Sequence, residues 1–265
     1  MKPAAPTKDP PVIELRGADI GPDPATGLAL LRGVDWRVTA GDWWVVGGGH
    51  RSGKSALLAT AAGVQRPLSG GHWLFGEETE RLAESRLIEH RRRVGVVFEN
   101  GGRLFAHLSV AENVALPLRY HRDCDLDEAS GRVAELLDWL GLTRQARMQP
   151  DRLGRDLRQR AALARALALE PEVLLLDNPL AGLAAREREW WLAQLAALHA
   201  GRVPGGGRPL TLAVMTDDLE PWAAHGRQFA VVQDGQCRAM GGRESLPECV
   251  EMLGREPRPL AAIED

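Results

Sequence analysis

Lysine is almost missing from this chain. Among thirty-three basic residues only Lys2, Lys8 and Lys54 are lysine, and every other positive charge is carried by arginine. Aromatic residues are scarce at 5 %, and Tyr120 is the single tyrosine. Cysteine is limited to Cys124, Cys237 and Cys249, an odd number without CxxC or Cys/His spacing, which excludes a legible zinc site and reads as three ordinary thiols in a reducing compartment. No apolar run approaches the roughly 20 residues of a membrane span. The polar, proline-rich residues 1–11 lack the apolar centre of a signal peptide and read as a flexible tail. A cytoplasmic protein is therefore expected, touching membrane only through a partner. Positive charge is not in excess either: the net charge is -3, with arginines and acids interspersed, so no nucleic-acid partner is expected.

What is present is concentrated around the one lysine in the body of the chain. Gly48-Gly49-His50-Arg51-Ser52-Gly53-Lys54-Ser55 matches the phosphate-binding pattern GxxxxGK[ST], and it follows the apolar stretch Trp43-Trp44-Val45-Val46, which reads as a strand. Glycines let backbone N–H groups curl around phosphate oxygens, and the helix that opens near Gly53 adds its positive dipole end. Lys54 would reach the outer phosphates and the Ser55 hydroxyl would face magnesium. The chain is thus expected to bind Mg-ATP or Mg-ADP. A second acidic group fits the same chemistry: Val173-Leu174-Leu175-Leu176 ends in Asp177, at the place where a carboxylate can hold magnesium through water.

Strand candidates at residues 43–46, 94–98, 173–177 and 210–215 alternate with helical patterns. With the phosphate loop this predicts an α/β fold of the P-loop NTPase kind, a mostly parallel sheet with ligands beyond the carboxyl ends of the strands. Between Phe98 and Pro171 the strand signals stop, and residues 111–120, 127–140 and 157–169 carry helical periodicity. The predicted organisation is a tail (1–11), a core in two parts (12–98 and 171–243), an inserted helical subdomain (99–170), and a C-terminal helix and tail (244–265). Trp43, Trp44 and one of Trp190 and Trp191 are expected in the core. The run Arg91-Arg92-Arg93 reads as a solvated helix end.

From about Ile13 to about Arg243 the order of these motifs resembles the ATP-binding subunits of ABC transporters. Val97-Phe98-Glu99, followed by Leu104-Phe105-Ala106-His107-Leu108, stands where that family has its glutamine loop. Leu153, Gly154, Arg155, Asp156 and Leu157, then Gln159-Arg160, stand at its signature, and Met215-Thr216-Asp217-Asp218 at its switch. Residues 112–119 and 160–166 look most like the lipid-trafficking MCE/Mla class. The resemblance implies the RecA-like form of the fold, with an antiparallel N-terminal part. It also implies a transmembrane permease as partner, pairing with itself or with another ABC chain, and a peripheral place on the inner face of the cytoplasmic membrane.

The departures from the family pattern bear on chemistry. Asn178 stands at the position of the carboxylate that polarises the attacking water, Asp217 at that of the switch histidine, and Glu99 at that of a metal-contacting glutamine. Within the signature, Gly154 replaces a serine, while Arg155 and Asp156 replace glycines and would fill space meant for a phosphate of the opposing subunit. Arg51 replaces a loop glycine, Ala184 an aspartate at the dimer contact, and Ile20 and Gly21 offer no aromatic for the base. Both halves of a composite site are thus altered in one chain. Three readings follow: a nucleotide-binding subunit with little or no hydrolysis, an active ATPase using Glu99 or Asp217 as base, and a scaffold or regulator that keeps the fold without transport. Glu99, Asp217 and an incoming Asp156 are expected to crowd the terminal phosphate with negative charge.

Overall fold

Residues 10–122, 125–203 and 207–254 are described by the structure, a computed structural model. Residues 1–9, Asp123 and Cys124, residues 204–206 and residues 255–265 lie outside the described residues.

A short antiparallel sheet comes first. Strands β1 (Ile13–Ile20) and β2 (Leu31–Val38) pair with each other, and β1 also pairs with β4 (Ser69–Leu74), which is flanked by the two-residue β5 (Glu77–Glu78). The main sheet has six strands in the order β10-β9-β3-β8-β7-β6: β6 (Val94–Val97), β7 (Val173–Asp177), β8 (Thr211–Thr216), β3 (Trp43–Gly48), β9 (Gln228–Gln233) and β10 (Gln236–Gly241). The first five are parallel to one another, and β10 returns antiparallel to β9. The expected mixed architecture is therefore present, with the antiparallel part as a sheet of its own. Asp234-Gly235, both at positive φ, forms the two-residue turn of the β9–β10 hairpin, a strong local signal for such a turn.

The parallel strands are buried on both faces, and their alternating side chains feed two separate cores. Trp43, Val45, Leu174, Leu176, Leu212 and Val214 point into one core together with the inserted helices. Trp44, Val46, Val173, Leu175, Ala213 and Met215 point into the other, against β1, β2 and helix α1 (Lys54–Ala61). The two adjacent tryptophans thus serve opposite faces: Trp44 packs edge-on against Trp36, and Trp43 lies near His199 and His225.

Helix α2 (Glu84–Arg92) leads into β6. The insertion between β6 and β7 contains α3 (Val110–Arg122), α4 (Leu126–Trp139) and α5 (Arg155–Leu167), and α6 (Ala185–His199) and α7 (Leu246–Leu253) follow the later strands. Helix α5 starts two residues before the expected 157, so Arg155 and Asp156 belong to its first turn. The arginine run that ends α2 is not merely solvated. Arg91 Nε donates to Gly63 O at 2.7 Å, and Arg93 holds Glu172 through two bonds of 2.7 and 3.0 Å while lying over the Phe75 ring.

Candidate nucleotide site

The parallel register brings four chain exits to one edge. Gly47 lies beside Thr216, Asp177 beside Met215 and Val97 beside Leu176, so the loop after β3, Asp217 after β8, Asp177-Asn178 at the end of β7 and Glu99 after β6 follow one another across the sheet. They border a cavity of about 490 Å³ together with Phe98 and Arg103. A cleft of this size suits a nucleotide.

Inside it, Lys54 is already engaged. Its side chain is only 6 % exposed; the ammonium donates to Gly48 O at 2.6 Å and Gly49 O at 2.7 Å, and pairs with Asp217 Oδ1 at 2.9 Å. The second oxygen of Asp217 accepts a hydrogen bond from Asn178 Nδ2 at 2.8 Å. Asp217, Lys54 and Asn178 thus form one connected chain in which both carboxylate oxygens are used. Asp177 sits behind them, 5 % exposed; burial, and after it the charges of Glu99 and Asp217, push its carboxyl up, while the Ser55 hydroxyl and the Lys54 charge act the other way.

The residues expected to hold magnesium fit that role as a partial set. The Ser55 hydroxyl lowers and the Glu99 charge raises the pKa of the Asp177 carboxyl, so both stand close to it. Among the described residues no group of three or more His, Cys, Asp and Glu side chains is arranged to hold a metal alone. Magnesium keeps waters and takes phosphate oxygens readily, so such a set would hold it only together with a nucleotide.

The signature residues turn towards their own chain. Arg155 reaches Glu99 Oε1 at 3.5 Å, and it can do so because Gly182 leaves it room: a Cβ there would stand 2.6 Å from Arg155 Nη1. Asp156 corrects the expectation that it projects towards an opposing copy. It takes a hydrogen bond from Trp191 Nε1 at 3.1 Å and pairs with Arg160 at 2.7 Å, and Arg160 in turn lies over the Trp190 ring. Leu153 is buried, Leu157 packs partly against the same core, and Gly154 precedes α5 in an extended conformation without a side-chain cap. Of the three carboxylates expected to crowd the terminal phosphate, only Glu99 and Asp217 border the cavity, and Asp217 is neutralised there by Lys54.

Arg103 is a cavity residue that sequence reasoning missed. It follows Asn100-Gly101-Gly102, a turn signal that marks an unusual backbone, and it sits at φ 68 with its guanidinium over the Phe98 ring at 3.8 Å. Pro22 and Leu30 form the rim where the sequence offered no aromatic.

Comparison with known proteins places these features in a family. The family model for ABC transporters matches residues 31–181. A sulfate/thiosulfate import ATP-binding protein CysA of Nephroselmis olivacea is 34 % identical over 80 % of this chain and 58 % of its own length. A spermidine/putrescine import ATP-binding protein, PotA 1 of Pseudomonas aeruginosa, is 33 % identical over 85 % of this chain and 59 % of its own. The chain thus spans less than two thirds of the length of these two relatives. Among solved structures, the ATP-binding cassette MJ0796, a dimer in a post-hydrolysis state bound to ADP and Pi, superposes with a TM-score of 0.75 at 26 % identity, covering 86 % of this chain and 98 % of that one. None of the three is named for lipid trafficking, so the MCE/Mla likeness expected from residues 112–119 and 160–166 finds no support in these relatives.

Proposed function

This chain belongs to the ABC transporter family, and on that premise we propose that it is the nucleotide-binding subunit of a membrane importer whose hydrolytic step is weak or lost. The observation that carries this reading is the chain Lys54–Asp217–Asn178. A general base must accept a proton from water, and the amide of Asn178 donates instead. The carboxylate bonded to that amide, Asp217, has one oxygen on Lys54 and the other on Asn178. Loss of a positioned base typically slows such a step by ~10²–10⁴.

Binding has better support than turnover. The loop 48–55 adopts its place between β3 and α1, Lys54 and Asp177 face the cavity, and Ser55 with Asp177 would hold magnesium once phosphate oxygens complete its shell. Magnesium bound there would neutralise phosphate charge. Small-solute import is favoured over lipid trafficking because the relatives carry names of sulfate and polyamine import. The solute itself would be chosen by other subunits. A permease is the expected membrane partner, and among the described residues no helix is long and apolar enough to cross a membrane. A second copy or a related ABC chain would complete the dimer seen for the MJ0796 cassette.

One observation favours an active enzyme instead. The Glu99 side chain is 43 % exposed on the cavity and its only ionic contact among the described residues, with Arg155, is long at 3.5 Å, so it is the carboxylate most available as a base. Phosphate release by the purified chain, alone and with its permease, separates the two. The expected result is near-background turnover that Asn178→Glu alone barely raises, since groups acting as a unit are restored together or not at all. Robust wild-type turnover abolished by Lys54→Ala and by Glu99→Gln would establish the active reading.

A further inference from the structure

The cavity beside the phosphate loop carries positive charge that its lysine does not account for. Lys54 has three ammonium protons, and Gly48 O, Gly49 O and Asp217 Oδ1 lie around them at 2.6, 2.7 and 2.9 Å. A phosphate that reached Lys54 would have to displace an oxygen already there. Two arginines on the same cavity have no such commitment. Arg51 extends from the loop after β3 and Arg103 from the loop after β6, at strands separated by β8 and β7 in the sheet. Both side chains are exposed. Arg51 has no hydrogen bond or ion pair among the described residues, and the Arg103 guanidinium has only the Phe98 ring beneath it.

Their backbones are unusual in the same way. Arg51 lies at φ 62 and Arg103 at φ 68, in the left-handed region that disfavours side-chain-bearing residues. Such conformations persist only where the surroundings hold them, and they gather at ligand sites. Arg103 is visibly held: Arg165, from α5, donates to its carbonyl at 2.6 Å. The Arg165 side chain loses basicity first through burial and then through the nearby Arg103 charge, so two cations crowd this corner. Of the acids on the cavity, Asp217 is matched by Lys54 and Glu99 is paired at 3.5 Å with Arg155, while Asp177 lines the cavity at only 5 % exposure beside Ser55. An anion entering from solvent therefore meets Arg51 and Arg103 as its uncompensated partners. Guanidinium groups suit this role because their planar fork matches phosphate oxygens two at a time.

We propose that Arg51 and Arg103 form the phosphate clamp of this site, holding the terminal phosphates of a nucleoside di- or triphosphate from the two sides of the cavity, while Lys54 acts as the fixed counter-ion of Asp217. The assignment rests on the nucleotide-binding reading above and deepens it. It transfers the main phosphate-binding charge from the lysine that the sequence pattern singles out to two arginines that it does not.

Glycine makes a clean test, because at positive φ it keeps the backbone and deletes only the side chain. The full-length chain and its Arg51→Gly, Arg103→Gly, double and Lys54→Ala variants are titrated by calorimetry with Mg-ATP, Mg-ADP and AMP, and melted without ligand to check folding. Each glycine variant should lose ~10-fold in Mg-ATP affinity and the double variant ~100-fold, with AMP affected far less. Lys54→Ala should lose less than the double variant, and the glycine variants should melt no lower than wild type. Wild-type-like Mg-ATP binding by the double variant, an equal loss for ATP and AMP, or a larger loss in Lys54→Ala would overturn the clamp and leave nucleotide binding standing. A wild-type chain that binds none of the three nucleotides would overturn the nucleotide-binding reading itself.

Discussion

Asp217 sets the charge pattern around the phosphate loop through a single contact. It stands 2.9 Å from the ammonium of a side chain that is almost fully buried, but is itself 46 % exposed, so solvent screens the pair and its net worth is modest, about 1 kcal/mol. That is enough to shift a binding preference. Asp217→Asn should free Lys54 for a terminal phosphate and raise the ATP-to-ADP affinity ratio about fivefold, measured by competition calorimetry. An unchanged ratio would mean that the residue does not reach the phosphate in solution. His72 offers a second residue-scale test. It is 1 % exposed, its Nδ1 lies 3.2 Å from Thr79 Oγ1, and burial lowers its pKa from 6.5 to about 4. The native chain keeps it neutral, whereas the unfolded chain protonates it near 6.5. Its contribution is therefore present above pH 6.5 and is lost as pH falls towards about 4, by up to about 3 kcal/mol at ~1.4 kcal/mol per unit. Melting temperature against pH should show a shallower acid decline for His72→Gln than for wild type. Parallel curves would assign the acid sensitivity to other groups.

Among the elements, the loop after β6 couples the site to the inserted helices. Asn100, Gly101 and Arg103 all take positive φ, and a Cβ on Gly101 would stand 2.6 Å from the backbone carbon and oxygen of Arg158 in α5. Glycine is required there by both conformation and close approach. Gly101→Ala must push the loop away from α5, which also carries the Glu99 partner Arg155. Strain and overpacking together should cost about 2 kcal/mol or more in urea denaturation, far above an exposed substitution. A loss under about 0.5 kcal/mol would show that the loop and α5 are not rigidly joined. The same loop continues to a turn moored by Asn113, fully buried in α3. Its side chain accepts from Phe105 N at 2.8 Å and donates to Phe105 O, Leu108 O and Ser109 O at 3.0 to 3.2 Å. A buried amide with every contact made to one turn fixes that turn, and so presents Phe105 at 46 % exposure.

At the scale of the whole molecule, the inserted helices share the core that lies against one face of the main sheet. Val110, Val114 and Leu118 of α3 and Leu136 of α4 join Trp43, Leu174 and Leu212 in one apolar cluster. The exposed Phe105 lies outside it and is a candidate contact for a permease. Phe105→Asp should leave the melting temperature nearly unchanged, because surface changes stay within about 0.5 kcal/mol, yet reduce recovery of a membrane protein in a pull-down from native membranes. Equal recovery by the variant would remove this segment from the docking surface. By itself, the sequence determined the strand ending at the phosphate loop, the strand ending in Asp177 and the helical insertion, because these depend on local periodicity and on short spacings along the chain, whereas Glu99, Asn178 and Asp217 stood out only against the pattern of the family the chain resembles. The i,i+4 pair of Asp156 and Arg160 was within reach of the same reasoning. Only the tertiary structure decided that Asp217 neutralises Lys54, that Asp156 turns in to Trp191, and that Arg51 and Arg103 share one cavity. Those partners lie 163, 35 and 52 positions apart, and no local pattern aims one side chain at another across such a distance. Which partner a charged group finds is settled where the sheet order brings strand ends together and the core packing orients what leaves them.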